Sequence, residues 1–246
     1  MITASYTETD KIIQSCPLYN DGIGRVDYIE HMGSDLTIVN SARVSFGRTR
    51  NELNEKDKKL IKYLVKHRHT STFEHNVITF RFIVPLFVRS QHHRHRTWSY
   101  NEISRRYTSI NMEFYEPDSF RTQHESNRQA SNKDKINPNI NYALSKGLAS
   151  DIIKEHHNLS LDLFNNLLEN GVCREQARGV LPQNMYTTYY GTVNLSNLLK
   201  FIDLRTHEGA QWEIQQVANA CKAIAKSCWP IAFETYKENR IIENEI

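Results

Sequence analysis

The sequence contains 246 residues, with a formal net charge of +3 and an isoelectric point near 8.6. This mild charge excludes a histone-like protein that binds polyanions over its whole surface, so an anion site has to come from a local cluster. No apolar run approaches the roughly 18 residues of a membrane span, and the first residues lack the basic-then-apolar order of a signal peptide. We therefore expect a cytoplasmic protein without a membrane partner, folded as a single domain over residues 1–246.

The first half of the chain predicts a lead-in, a helix and a strand. Residues 1–28 are loosely patterned and are expected to precede the compact structure. A helix is predicted from Asn54, a good N-cap, to near His67, because apolar residues recur at helical spacing among lysines. Apolar and polar residues alternate over residues 78–84 as in a half-buried strand, which Pro85 ends. A short helix is predicted to follow, and a further strand at residues 112–117.

The second half is predicted to hold a loop and then mainly helices. Residues 119–141 are expected to form a mobile surface loop, because Ala130 is the only apolar residue between positions 121 and 135. Helices are predicted at residues 151–170, 173–181, 195–207 and 210–229, and a strand at 187–193. Since helices outnumber strands and do not alternate regularly with them, the expected fold class is α+β, with a small and mainly antiparallel sheet.

Residues 89–107 (RSQHHRHRTWSYNEISRRY) carry the densest chemistry, with five arginines, three histidines, no lysine and one acid. Arginine stays charged and donates paired hydrogen bonds to phosphate oxygens, so this choice favours bidentate anion recognition. The nine glycines form neither G-x-G-x-x-G nor a P-loop, so side chains would have to bind any nucleotide.

On the residues alone, three other interpretations of this segment stay open. It could be a merely basic, salt-bridged surface. It could be a nucleic-acid-binding module in which Trp98, Tyr100 and Tyr107 stack on bases. It could also be a zinc hydrolase built on the histidines, although none of them fits a spacing such as H-E-x-x-H and no metal is expected.

The same segment resembles the signature of flavin-dependent thymidylate synthases. Arg94-His95-Arg96, seven residues and then Ser104 match R-H-R-x7-S, inside a wider Q-x-x-R-H-R and N-E-x-S-x-R-Y frame. The similarity covers about residues 29–230 and includes SARVSF at 41–46, HTSTFEH at 69–75, REQARGVLPQNMYT at 174–187, TVN at 192–194 and LR-x5-QWEIQ at 204–215.

The resemblance implies reductive methylation of dUMP to dTMP, with FAD as cofactor and with NADPH and 5,10-methylenetetrahydrofolate as co-substrates. It implies a homotetramer with active sites at subunit interfaces and no nucleic-acid partner. The implied flavin contacts are Ser71, Arg94, His95, Arg96, Glu102, Asn194, Ser196 and Lys200. The implied nucleotide contacts are Gln91, Arg94, Glu102, Ser104, Arg105, Arg106, Arg178 and Arg205, while His69 and Tyr107 are expected near the nicotinamide or folate face.

Two of these residues are the candidates for catalysis. None of the four cysteines has the setting of the nucleophile in classical thymidylate synthases. The resemblance instead implies that the matched Arg205 stabilises negative charge that develops on the pyrimidine. Ser104 is the second candidate, although a phosphate-binding role is favoured because no histidine-acid pair is dedicated to it. Ser196, Lys200 and Arg105 depart from residues that are frequent in the family. These departures predict changed contacts to the adenosine end of the flavin and to the phosphate.

Overall fold

The structure is a computed structural model that describes residues 12–236, and it combines helices with an antiparallel sheet. The strands are β1 (Ser15–Pro17), β2 (Arg25–Met32), β3 (Val77–Pro85), β4 (Ser99–Glu102), β5 (Phe120–Gln123), β6 (Ser131–Ile136), β7 (Asn139–Tyr142), β8 (Ser145–Leu148) and β9 (Tyr186–Asn194). The helices are α1 (Asp35–Arg43), α2 (Glu55–Lys66), α3 (Leu86–His92), α4 (Ala149–Glu169), α5 (Arg174–Ala177), α6 (Leu195–Thr206) and α7 (Trp212–Cys228). The expected α+β class is confirmed.

The main sheet contains β1, β2, β3, β9 and β4 in that order, and each neighbouring pair is antiparallel. In β3, Ile78, Phe80, Phe82 and Val84 are fully buried because alternate side chains of a strand face the same side. Helices α1, α2, α6 and α7 contribute the other core residues, including Ile38, Ile61, Leu198, Phe201 and Ile214. The strand predicted at residues 78–84 is thus confirmed.

Helix α2 begins where the sequence predicts. The Asn54 side chain accepts hydrogen bonds from the backbone N–H groups of Lys56 and Asp57, at 2.9 and 3.2 Å. The Asp57 carboxylate in turn accepts from the Asn54 backbone N–H at 3.1 Å, which completes a capping box. The predicted helices on either side of β9 and the strand itself are also present, as α4, α5, α6 and α7.

Close packing fixes the turn between β2 and α1. Gly33 has a φ of +87°, and a Cβ atom there would lie 1.9 Å from Oδ1 of the buried Asn76. The Gly33 carbonyl accepts a hydrogen bond from Trp229 Nε1 at 3.2 Å. Just after it, the Asp35 carboxylate accepts from the backbone N–H groups of Ile231 and Ala232, at 3.0 and 2.9 Å. This turn therefore holds the helical residues 230–236, a separate segment that follows a break at Trp229, while α7 itself ends at Cys228, close to the predicted end before Pro230.

Two segments that were predicted to lack regular structure contain strands. Part of the lead-in, residues 1–28, already belongs to the sheet, because β1 pairs with β2 and Val26 is fully buried; residues 1–11 lie outside the described part. Residues 119–141, predicted as a loop, contain the paired strands β5 and β6 and the start of β7. Backbone hydrogen bonds between the strands order this segment, with little apolar burial.

Two further expectations need correction. Residues 112–117 form only an isolated bridge between Phe114 and Met185 instead of a strand. On α4, Leu159 and Leu163 are 57% and 49% exposed, so part of the expected apolar face lies outside the core of this chain. Within residues 12–236, no helix is long and apolar enough to cross a bilayer.

Candidate functional site

The arginine-rich segment is anchored to the core by its histidine at position 92. His92 is fully buried, and its Nδ1 lies 2.8 Å from the hydroxyl oxygen of Tyr189. The rings of Phe82, Trp98 and Phe201 surround it, with centroids 4.5 to 4.8 Å away. Burial lowers the pKa of His92 well below its usual value, so the imidazole is neutral. This apolar anchor positions the segment, while the arginines on either side of His95 are exposed.

The packing of Trp98 argues against the interpretation of this segment as a nucleic-acid-binding module. A nucleic-acid-binding module would use Trp98 and Tyr100 as stacking faces, but Trp98 is only 6% exposed and Tyr100 is half-buried. The Tyr100 hydroxyl donates to the backbone carbonyls of His92 and His95, at 3.0 and 3.1 Å. Both aromatic residues therefore support the turn between α3 and β4. Among residues 12–236, no three His, Cys, Asp or Glu side chains are grouped as they would be around a metal ion.

A cleft of about 480 Å³ opens beside the end of β4, a size within the range of small-molecule sites. Glu102 forms part of its wall, and its Oε1 accepts hydrogen bonds from Arg89 Nε at 3.0 Å and Thr187 Oγ1 at 2.7 Å. The lining residues are Leu86, Arg89, Glu102, Ile103, Ser104, Arg105, Glu175, Arg178, Gly179, Leu181, Gln183, Met185 and Thr187. The structure thus brings four expected contacts, Glu102, Ser104, Arg105 and Arg178, to one cavity.

Ser104 and Arg178 offer hydrogen-bond donors to this cleft. The Ser104 hydroxyl oxygen accepts from the Arg106 backbone N–H at 3.3 Å, and no histidine bonds to it in the part of the chain that is described. The Arg178 side chain is exposed, and its Nε donates to the Glu175 carbonyl oxygen at 3.4 Å. Arg174, one turn earlier, donates to Ser109 Oγ at 2.6 Å. A hydroxyl and a guanidinium suit a phosphate group better than they suit nucleophilic catalysis.

Arg105 borders the same cleft, but its guanidinium is directed into the protein. Arg105 is 7% exposed and donates to the backbone carbonyls of Ile110 at 2.5 Å, Asn111 at 3.0 Å and Tyr186 at 3.3 Å. Burial lowers the pKa of this guanidinium. The expected contact of this guanidinium with the nucleotide is therefore corrected: its three bonds hold the backbone at residues 110, 111 and 186.

His95 and Arg205, which are far apart in the sequence, meet in the structure. Arg205 Nε donates to His95 Nε2 at 3.0 Å, so this nitrogen must be unprotonated. Burial, and then the positive charge of Arg205, lower the pKa of His95 to about 4. Burial also lowers the pKa of Arg205. Within residues 12–236, Arg205 forms no ion pair with a carboxylate, so its charge is available to a ligand.

Gln91 contacts a set of polar residues that sequence reasoning did not single out. Its Nε2 donates to Gln211 Oε1, and Gln211 Nε2 donates to Glu213 Oε2 at 2.8 Å. The Glu213 carboxylate also accepts from Arg121 Nη2, at 2.9 and 3.0 Å, and from the Tyr115 hydroxyl at 3.4 Å. The QWEIQ motif contains Gln211 and Glu213, whereas Arg121 lies in the segment predicted as a loop and had no signal.

Six expected contacts have exposed side chains away from these bonds: His69, Ser71, Arg94, Arg96, Arg106 and Tyr107. Ser71 and His69 are exposed around the 3-10 turn Thr70–Phe73, and the His69 ring lies 5.9 Å from the ring of Tyr63. Tyr107 is 78% exposed, with the guanidinium of Arg106 at 5.7 Å from its ring. Neither Arg94 nor Arg96 has an ion-pair partner among the residues described, and both side chains are exposed.

The start of α6 holds three expected flavin contacts in different surroundings. Asn194 caps the helix, and its side-chain oxygen accepts from the Asn197 backbone N–H at 2.9 Å. Lys200 is exposed, with Nζ 3.4 Å from Asn197 Oδ1. Ser196 is only 5% exposed, which argues against its expected contact with a flavin because the side chain faces the core.

Comparisons with known proteins agree on one family. The family model described as "Thymidylate synthase complementing protein" matches residues 27–231. A protein named flavin-dependent thymidylate synthase from Thermus thermophilus is 43% identical over 216 residues, which are 88% of this chain and 76% of the relative. Another from Thermosipho africanus is 41% identical over 213 residues, 87% of this chain and 90% of the relative. The crystal structure of a UMP/dUMP methylase, PolB from Streptomyces cacaoi bound with 5-Br dUMP, is 30% identical with a TM-score of 0.75, covering 91% of this chain and 97% of PolB.

Proposed function

The chain belongs to the thymidylate synthase complementing protein family, and we propose that it is a flavin-dependent thymidylate synthase. Its reaction is the reductive methylation of dUMP to dTMP, with 5,10-methylenetetrahydrofolate as carbon donor, NADPH as reductant and FAD as cofactor. The observation that carries the proposal is the contact between Arg205 and His95, which places beside the R-H-R motif an arginine that has no carboxylate partner among residues 12–236.

The donor groups of the chain fit two phosphorylated ligands. Arg94 and Arg96 are exposed and offer guanidinium groups for the flavin diphosphate, while the half-buried Asn194 caps α6 and Lys200 is exposed near the middle of that helix. Ser104 and Arg178 offer donors in the cleft for the phosphate of dUMP. When bound, FAD supplies hydride equivalents taken from NADPH.

Arg205 addresses the difficult step of the reaction. Carbon 5 of uracil is a weak nucleophile and reacts only when electron density moves toward it. A guanidinium beside N3 and the flanking carbonyl oxygens stabilises the negative charge that accompanies this shift. His95 keeps the guanidinium in place without neutralising it, because a neutral imidazole accepts the hydrogen bond.

The cysteines support a reaction without a thiol nucleophile. Burial raises the pKa of Cys16, Cys221 and Cys228, which disfavours the reactive thiolate. Cys173 is exposed and is not among the residues that line the cleft. All four are free thiols, as is usual in the cytoplasm, where we place the enzyme.

We also propose that the enzyme is a homotetramer with active sites at subunit interfaces. The exposed Leu159 and Leu163 lie four residues apart on one side of α4 and would be buried by another copy. Exposed expected contacts such as His69 and Tyr107 could then belong to a site completed by a neighbouring subunit.

The test is anaerobic incubation with FAD, NADPH, 5,10-methylenetetrahydrofolate and dUMP tritiated at carbon 5. The wild type is expected to release tritium and form dTMP. Arg205→Ala should lower kcat by about 100-fold or more, as loss of a charge-stabilising donor typically does. Arg128→Ala, an exposed arginine outside the cleft, is the matched control. A wild type that forms no dTMP and releases no tritium contradicts the proposal.

A further inference from the structure

A row of four polar side chains joins the β5–β6 hairpin to α3. Arg121 on β5 donates to Glu213 in the first turn of α7, at 2.9 and 3.0 Å. Gln211 donates to Glu213 at 2.8 Å, and Gln91 donates to Gln211. The row therefore connects a part of the chain outside the cleft with an expected nucleotide contact.

The charge of Glu213 determines the direction of both amides. A carboxylate only accepts hydrogen bonds, so Gln211 must turn its NH₂ group toward Glu213 and its carbonyl oxygen toward Gln91. Gln91 must then give its own NH₂ group to Gln211. The side-chain carbonyl oxygen of Gln91 accepts no hydrogen bond from any donor within residues 12–236. The side chain of Gln91 thus presents a hydrogen-bond acceptor whose orientation is set by Glu213, two side chains away along the row.

The surroundings keep this arrangement fixed. Glu213 is only 4% exposed, so a carbonyl oxygen turned toward it would be an unscreened repulsion in a medium of low dielectric. Arg121 is held from two further sides: its Nε donates to Ser131 Oγ at 2.9 Å, and its guanidinium lies 5.4 Å from the ring of Trp212. The hairpin therefore holds the positive charge that makes the buried carboxylate tolerable.

We propose that Arg121, Glu213 and Gln211 are positioning residues for the nucleotide. They hold Gln91 with its carbonyl oxygen ready to accept a hydrogen bond from an N–H or O–H group of the pyrimidine nucleotide. This inference rests on the proposed function, because Gln91 is a nucleotide contact only in a protein that binds dUMP. It also gives the β5–β6 hairpin a role in substrate binding.

The first test is Glu213→Gln in the full-length, FAD-loaded protein. An amide has the shape of the carboxylate but both donates and accepts, so Gln211 and Gln91 lose their fixed direction. The dissociation constant for dUMP, measured by titration calorimetry, should rise about tenfold, and KM for dUMP should rise with it. The kcat at saturating dUMP should stay within about twofold, since a positioning role acts on binding.

Partner variants separate positioning from general damage. Gln91→Met should weaken dUMP binding as much as Glu213→Gln does, and the double variant should be no weaker than Gln91→Met alone. Arg121→Met should behave like Glu213→Gln, Arg121→Lys should recover most of the affinity, and Arg128→Met on the same hairpin should bind like the wild type. If Glu213→Gln does not fold, Gln211→Met leaves the ion pair intact and carries the same expectation.

The outcomes are distinct. Failure of the wild type to bind dUMP overturns the proposed function and this inference together. If the wild type binds dUMP and Glu213→Gln, Gln211→Met and Arg121→Met bind it with the same affinity, the inference is overturned but the proposed function is not. Losses that multiply in the Gln91→Met, Glu213→Gln double variant also overturn it, because they show that the two residues act independently.

Discussion

At the scale of single residues, the hydrogen bond between Arg205 and His95 should make the protein sensitive to acid. The pKa of His95 is lowered to about 4, whereas in the unfolded chain it returns to about 6.5. Between pH 6.5 and 4, His95 therefore binds a proton in the unfolded chain but not in the folded chain. The stabilising contribution is complete above pH 6.5 and is lost as the pH falls toward 4.

Urea unfolding at pH 7.5, 6 and 5 measures this dependence. We expect His95→Gln to reduce the fall in unfolding free energy between pH 7.5 and 5, while the buried His92 and the half-buried His93 maintain part of it, since their pKa values are also lowered. His75→Gln, at an exposed histidine, is the control and should keep the full dependence. Equal slopes for the two variants would contradict the assignment of this effect to His95.

Arg105 and Arg106 are neighbours with opposite surroundings, which gives a second residue-level prediction. Arg105→Met removes three hydrogen bonds to backbone carbonyls and should lower the unfolding free energy by on the order of 3 kcal/mol. Arg106→Met, at an exposed position, should change it by less than about 0.5 kcal/mol. Equilibrium urea unfolding compares the two variants, and a stable Arg105→Met would show that residues 110 and 111 hold their positions without the guanidinium.

At the scale of elements, two glycines with nearly the same backbone conformation should respond differently to alanine. Gly33 has φ +87° and Gly171 has φ +85°. Gly171→Ala meets only the cost of the left-handed conformation, about 1 kcal/mol, because no atom lies within 4 Å of the new Cβ. Gly33→Ala must also displace Asn76 between β2, α1 and β3 and should cost more than about 3 kcal/mol. Thermal unfolding of the two variants tests the difference.

The sequence predicted the helices and strands whose stabilising features, such as caps and apolar periodicity, lie within a single segment. Helix α2 has its cap and apolar stripe within one segment, and β3 has its alternation. Strands β1 and β2 instead depend on pairing with each other and with β3, and β5 and β6 depend on hydrogen bonds between two polar strands. None of these four strands shows a regular alternation of apolar and polar residues in the sequence, so the sequence did not predict them.

The same distinction holds for the site. The R-H-R motif and Arg205 were identified by their resemblance to the motifs of a known family. The direction of each side chain depends on contacts made across the fold, so the sequence did not predict that Arg105 turns inward, that Trp98 is buried or that Arg121 reaches Glu213.

At the scale of the whole molecule, the exposed leucines of α4 predict an effect of charge on assembly. Leu163→Asp would place a carboxylate in the proposed interface, where burial without a partner is costly. We expect light scattering after size exclusion to show species smaller than a tetramer, with weaker retention of FAD. Asn165→Asp adds the same charge to an exposed polar position of α4 and should leave the assembly intact. An unchanged tetramer in Leu163→Asp would place the interface elsewhere.

The position of β9 between β3 and β4 has a consequence for how such chains can diverge. The chain leaves the sheet after Glu102 and returns at Tyr186, and the Ile103 backbone N–H donates to the Thr188 carbonyl oxygen at 2.9 Å, so the two ends of the intervening stretch are held together. Its hairpins have free tips, and Leu144 at one of them is fully exposed. Extra residues at these tips would lengthen the segment between β4 and β9 without changing the strand pairing of the central sheet. We therefore expect related chains to differ most in length at these hairpin tips.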